Sequence, residues 1–182
     1  MAEAKNSAVW KSILVLAVIA LCSGLLLGFF NLITYVDPLQ SAYDRFAEDT
    51  GASFSEMADE DGQSYDNGSV IYYAVSDDGE WNAFLVSGSG GYGGDVQVYL
   101  YFCGGVLEKL IVGENGETFL GNLESANYYD QFLGKDVSEL EGLDVDFVSG
   151  ATRSSTAIAN AVDAAVQYWN EHVAGGNTNE QA

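Results

Sequence analysis

Basic residues are scarce in this chain of 182: six Lys and Arg stand against 27 Asp and Glu, a formal net charge of -21. The imbalance lies almost wholly after residue 36, where 26 acids meet only Arg45, Lys109, Lys135 and Arg153. A surface of that sign repels phosphodiesters, which excludes nucleic acid as a partner. It also favours solubility. Cysteine is nearly absent. Cys22 lies inside an apolar run and Cys103 in the acidic part, so the two belong to different phases and no intrachain disulfide is expected. His172 is the single histidine. Two Cys and one His without ligand spacing give no transition-metal site. The same scarcity removes hydrolase chemistry from Ser149, Ser154 and Ser155, whose one available base is roughly four or more helical turns away. Proline occurs once against 21 glycines. The glycines gather at 88–94, 104–105, 113–121 and 149–150, which marks tight turns and close backbone approaches.

What the chain has in quantity is apolar: 48% of its residues are hydrophobic, enough for a core. Ser12 to Val36 carries no charge, and its length exceeds the about 20 residues that cross a bilayer as a helix. A cleaved signal peptide fits poorly, because the run is too long and has no A-x-A-like site. Lipid attachment at Cys22 is disfavoured by bulky Leu21. Lys5 and Lys11 precede the run and Asp37 follows it, which places the N-terminus in the cytoplasm and the rest outside. The expected division is a cytoplasmic N-terminus at 1–11, a single transmembrane helix at 12–36, an extracytoplasmic domain at 37–174 and a flexible tail at 175–182. Gly24 and Gly28 form a small-xxx-small pair suited to packing against another membrane helix.

Within the acidic part, Leu39–Thr50 has helical spacing, with Ala42, Phe46 and Ala47 on one face. Residues 51–69 read as an irregular connection. Val70–Val75 and Glu80–Val86 flank Asp78-Gly79, a hairpin signal. Val96–Phe102 alternates with period two, Cys103-Gly104-Gly105 turns, and Val106–Val112 makes a fourth strand. Ser125–Phe132 and Val137–Leu140 read as short helical pieces. From Ser154 onward, apolar residues at 158, 161, 162, 165, 166 and 169 define a helix ended by Gly175-Gly176. Trp81 and Trp169 are expected in the core. The fold class that follows is α+β: an antiparallel sheet packed with helices, preceded by one N-terminal transmembrane helix.

The start of the last helix carries the chemistry, in Asp146-Phe147-Val148-Ser149-Gly150-Ala151-Thr152-Arg153-Ser154-Ser155. A helix N-terminus offers free N–H groups and positive dipole potential, both suited to a phosphate. Gly150 permits close backbone approach. Thr152, Ser154 and Ser155 add hydroxyls and Arg153 a cation. From these residues alone two readings stand: a phosphate seat, or a plain Ser/Thr helix cap.

Asp-x-x-Ser-Gly-Ala-Thr followed by x-Ser-Ser resembles the flavinylation motif of the FMN-binding domain family. Two further stretches agree in order. Gly88-Ser89-Gly90-Gly91-Tyr92-Gly93-Gly94, followed by a period-two strand, is similar to the family's G-x-G-Y-x-G stretch. Glu117-Thr118-Phe119-Leu120-Gly121 resembles its E-T-P-G-L-G stretch, one residue shorter and lacking the Pro. Gln131-Phe132, Gly134 and Lys135 follow at the usual sort of distance.

The resemblance implies FMN held covalently through its phosphate to Thr152, attached by a separate flavin transferase that reads a motif including Asp146. It further implies cofactor contacts from Ser149, Gly150, Ala151, Ser154, Ser155, Glu117, Thr118 and Tyr92. The G-type component of the Rnf ferredoxin–NAD oxidoreductase complex is the nearest match in length. The implied role is an electron relay in an ion-translocating complex coupled to sodium or proton movement, with other membrane subunits as partners and no substrate turnover of its own. The C-type component of the sodium-pumping NADH–quinone reductase, an FMN-domain partner of another extracytoplasmic reductase, and a non-redox membrane-anchored interaction domain are the alternatives.

Overall fold

The structure, a computed structural model, describes residues 2–35, 37–55, 57–59, 62–113 and 115–174. The tail expected at 175–182, including Gly175-Gly176, lies outside the described residues, as does Val36 at the end of the expected span. The chain divides into two compact units after Gln40. In the first, one helix, α1, runs from Ala2 to Thr34. Its most apolar window has a mean hydropathy of 2.8 and none of it is buried, so α1 is long and apolar enough to cross a membrane.

Helix α2 covers Pro38–Thr50. Asp37 accepts the Leu39 amide at 3.0 Å and Pro38 takes the first helical position, where its missing N–H costs nothing. The second unit is built on an antiparallel sheet. Its strands are β1 (Met57–Asp59), β2 (Gln63–Tyr65), β3 (Gly68–Val75), β4 (Trp81–Gly88), β5 (Val96–Cys103) and β6 (Val106–Val112). The order is β1-β3-β4-β5-β6, with β2 also paired to β3. The last four strands fall where alternation placed them. Strands β1 and β2 lie in the stretch expected to be irregular. They are three residues each and lack apolar alternation, so only their pairing with β3 makes them strands.

Period-two alternation sorts the sheet's side chains onto two faces. On β4 and β5, Phe84, Val86, Val98, Leu100 and Phe102 point into the main core. That core is completed by Ala157, Ile158, Ala161, Ala165 and Tyr168 of α5 (Thr152–Tyr168). Ala83, Leu85 and Tyr101 point the other way, against Ala42 and Phe46 of α2. The class is therefore α+β, as expected, with a helix on each face. Trp169 packs on the first cluster and Trp81 on the second.

Between β6 and α5, the short helix expected at Val137–Leu140 is present, while the piece expected at Ser125–Phe132 and the start of α5 differ. Helix α3 is Leu120–Ser125, followed by a 3₁₀ turn at Tyr128–Gln131. Asn127 at φ +52° separates them, because a left-handed residue ends a right-handed helix. Helix α4 (Val137–Leu140) is fixed by a capping box between Asp136 and Glu139. Helix α5 starts at Thr152 rather than Ser154, and passes into a π-helical turn at Trp169–Val173.

Candidate flavin site at the start of the last helix

The turn before α5 is held from inside. Ser155 is fully buried, and its hydroxyl accepts the Val148 amide at 3.2 Å and donates to the Ala151 carbonyl at 3.0 Å. Buried Tyr128 donates its hydroxyl to the Ser155 carbonyl at 2.8 Å. Gln131 exchanges two bonds with the Asp146 backbone: it accepts the amide at 2.8 Å and donates to the carbonyl at 3.2 Å. The Asp146 residue itself is exposed. Gly150 has φ +82°, a region that strains any L side chain.

The N-cap of α5 is Ala151, which offers no side-chain cap. The plain helix cap read from the sequence is therefore not formed: no Ser or Thr side chain closes this helix. The first helical bond runs from the Ser155 amide to the Ala151 carbonyl at 2.9 Å. The amides of Thr152, Arg153 and Ser154 therefore form the open first turn. Thr152 is exposed, and its Oγ1 makes only a long contact of 3.5 Å with the Val148 carbonyl. Ser149 and Arg153 are exposed beside it.

Two loops meet this helix start. Tyr92 comes from the glycine-rich loop after β4, and Phe119 from the loop after β6. Their rings lie 5.7 Å apart in a T-shaped arrangement. Glu117 joins the pieces. One carboxylate oxygen accepts the Gly93 amide at 2.6 Å, and the other accepts the hydroxyl of buried Ser154. The loop carrying Glu117 is shaped by Asn115, whose side chain accepts the Glu117 amide at 2.8 Å and donates to the Gly113 carbonyl at 2.7 Å. A methyl group on Gly93 would collide with the Gly116 carbonyl, so glycine lets the two loops touch.

Tyr92, Phe119 and Gly150–Ser154 line a pocket of about 280 Å³. Ligand pockets commonly run from about 300 to 1,000 Å³, so this one is sized to seat part of a nucleotide and leave the rest open. A larger cavity of about 740 Å³ lies toward the other end of α5, lined by Tyr73, Asn82, Trp169 and His172 among others. It is distant from the hydroxyls and open amides. Helix α5 alone would separate the two by about 25 Å at 1.5 Å per residue.

Of the residues expected at the site, the structure brings together Tyr92, Glu117, Gly150, Ala151, Thr152 and Ser154. Thr118 is exposed next to them. Ser155 lies beneath the turn, its hydroxyl engaged within the protein. Phe119 was not among the expected residues. Its signal in the sequence was its place directly after Glu117-Thr118; the structure adds that it is an exposed aromatic.

Residues 91–167 match the family model described as FMN-binding domain. No curated protein and no solved structure matches the chain. The matched segment holds every residue that lines the pocket, together with Glu117, Asp146 and Ser155. It supports a flavin-binding role for the domain. The donor set fits FMN. Open amides and Arg153 suit its phosphate, the exposed Thr152 hydroxyl suits an ester, and the Tyr92–Phe119 pair suits an aromatic ring.

Proposed function

We propose that this chain is an electron-transfer protein bearing FMN esterified to Oγ1 of Thr152, in a membrane redox complex of the Rnf type. The observation that carries the reading is the exposed Thr152 hydroxyl on the rim of the pocket, at an uncapped helix start inside the FMN-binding match. Bound FMN supplies reversible electron transfer, and the protein supplies attachment, orientation and electrostatics. The first-turn amides of α5 and the Arg153 guanidinium hold the phosphate charge. Tyr92 and Phe119 present apolar faces beside it. No side chain here is required as a general acid or base.

The remaining parts follow from the same reading. Helix α1 anchors the chain with its N-terminus inside, as Lys5, Lys11 and Asp37 favour. The FMN domain then faces outward, where a covalent bond retains a cofactor that could not be replaced. The Gly24–Gly28 face of α1 packs against other membrane subunits of the complex. A flavin transferase attaches the FMN and reads the exposed turn that includes Asp146. The acidic surroundings would disfavour added negative charge on bound FMN and so lower its potential. Electron flow is coupled in the complex to sodium or proton movement.

The test is intact-mass measurement of the full chain produced with a flavin transferase. The wild type should gain the mass of one FMN less one water, and Thr152→Ala should gain nothing. A wild-type chain with no added mass, under conditions where the transferase modifies a control substrate, removes this reading.

A further inference from the structure

The Glu117 side chain links all three parts of the pocket by hydrogen bonds. It belongs to the loop that carries Phe119, two residues on. It accepts the amide of Gly93, next to Tyr92, at 2.6 Å. It also accepts the hydroxyl of Ser154, two residues into the helix that Thr152 begins. Both carboxylate oxygens are thereby engaged inside the protein. The fit is close on every side: a methyl at Gly91 would lie 2.6 Å from the same Glu117 oxygen that holds Gly93. Ser154 is 1% exposed, so its hydroxyl has no water in place of Glu117. An acid set into an acidic domain, beside a phosphate seat, is electrostatically unfavourable for that phosphate. Its two hydrogen bonds give it a structural role that offsets this cost.

We propose that Glu117 is a positioning residue that fixes the Tyr92–Phe119 aromatic pair relative to Thr152, and so sets where the flavin ring rests. This rests on the reading that Thr152 carries FMN. Without the clamp, the glycine-rich loop is free to swing. Gly90 and Gly94, at φ +95° and +120°, supply the backbone freedom on either side of Tyr92. The Thr152 link would remain while the ring lost its platform. Gln at position 117 keeps the same reach and provides an acceptor for the Gly93 amide and a second polar group for Ser154. Ala provides neither.

The experiment uses the full chain with and without FMN, as wild type, Glu117→Gln and Glu117→Ala. In the flavin-free chain, amide hydrogen exchange of the 88–95 segment should quicken roughly tenfold or more in Glu117→Ala, the loss expected for a bond to a charged acceptor. Glu117→Gln should stay much nearer the wild type. In the FMN-bearing chain, intact mass should show attachment in all three. The flavin fluorescence, quenched beside Tyr92 and Phe119 in the wild type, should rise in Glu117→Ala and match that of a Tyr92→Ala, Phe119→Ala double variant. Unchanged exchange in the flavin-free Glu117→Ala chain overturns the clamp. Unchanged flavin fluorescence in a fully attached Glu117→Ala chain overturns its role in placing the ring. Absence of attached FMN in the wild type is a separate result that removes the flavin reading and leaves the exchange measurement to judge the clamp.

Discussion

Thr152 and Ser155 stand three residues apart on the first turn of α5 and use their hydroxyls in opposite ways. Thr152 is exposed and holds only a 3.5 Å contact, while Ser155 is fully buried with one donated and one accepted bond. A transferase acting on the folded chain therefore meets one hydroxyl and not the other. Thr152→Ser should still gain FMN, since it keeps an exposed oxygen at the same place. Thr152→Ala should gain none at Ser154 or Ser155, which are buried. Peptide mapping of the flavin checks this, and a flavin found on Ser154 or Ser155 in the alanine variant would refute the geometric argument. Ser155→Ala should keep attachment while lowering stability, by about 1 kcal/mol for each buried hydrogen bond lost.

Gly150 makes a second, separable prediction. A methyl at this position meets nothing within 4 Å, yet the backbone sits at φ +82°. The cost of Gly150→Ala is therefore conformational, on the order of 1–2 kcal/mol. Gly150→Asn should cost less, because Asn tolerates the left-handed region. Urea unfolding of the three chains checks the order Gly, Asn, Ala. An alanine variant as stable as the wild type would mean that the turn relaxes to negative φ.

On the far face of the sheet, Asp49 of α2 accepts the Tyr101 hydroxyl at 2.5 Å and pairs with Arg45 at 2.7 Å. Lys109 donates to the Asp49 carbonyl, and Arg45 lies over the Tyr99 ring at 5.3 Å. Two of the domain's four cations thus converge on one residue. Asp49→Ala strands the buried Tyr101 hydroxyl and should cost about 1–3 kcal/mol. Tyr101→Phe leaves Asp49 its Arg45 partner and should cost about 0.5–1.5 kcal/mol. Equal losses in the two variants, measured by urea unfolding, would show that the hydroxyl bond carries the whole effect.

These residues also show what sequence could and could not reveal. Strands β3 to β6 were legible because alternation and the Asp78-Gly79 and Gly104-Gly105 turns are local signals. The same holds for α5, whose apolar spacing spans several turns. Strands β1 and β2 were not legible, since a three-residue polar strand exists only through its neighbour. At the candidate site, the hydroxyls and Gly150 could be picked out as suited to a phosphate. The identity of the N-cap could not, because Ala151 takes that place through a turn held by Ser155, Tyr128 and Gln131 from three segments. Glu117 was legible as a candidate site residue, but its two partners lie 24 and 37 residues away along the chain. Nothing local announces such a clamp.

Tyr73 gives the chain a predictable alkaline limit. It is 6% exposed, and its hydroxyl donates to Asn82 Oδ1 at 2.6 Å. Burial pushes its pKa up to about 12, from an ordinary value near 10. Burial moves Tyr101, Tyr128 and Tyr129 in the same direction. The folded state thus holds protons that the unfolded chain releases first. The stabilisation is complete below about pH 10 and is lost as pH rises through about 12, because over that window the unfolded chain binds fewer protons. For Tyr73 alone the loss amounts to about 2–3 kcal/mol when complete. Tyr73→Phe should start from lower stability at neutral pH, having lost the bond to Asn82, and should then fall less steeply in alkali. Urea midpoints measured from about pH 8 to 11 for both chains check the sign. Parallel curves would show that the Tyr73 proton is not held by the fold.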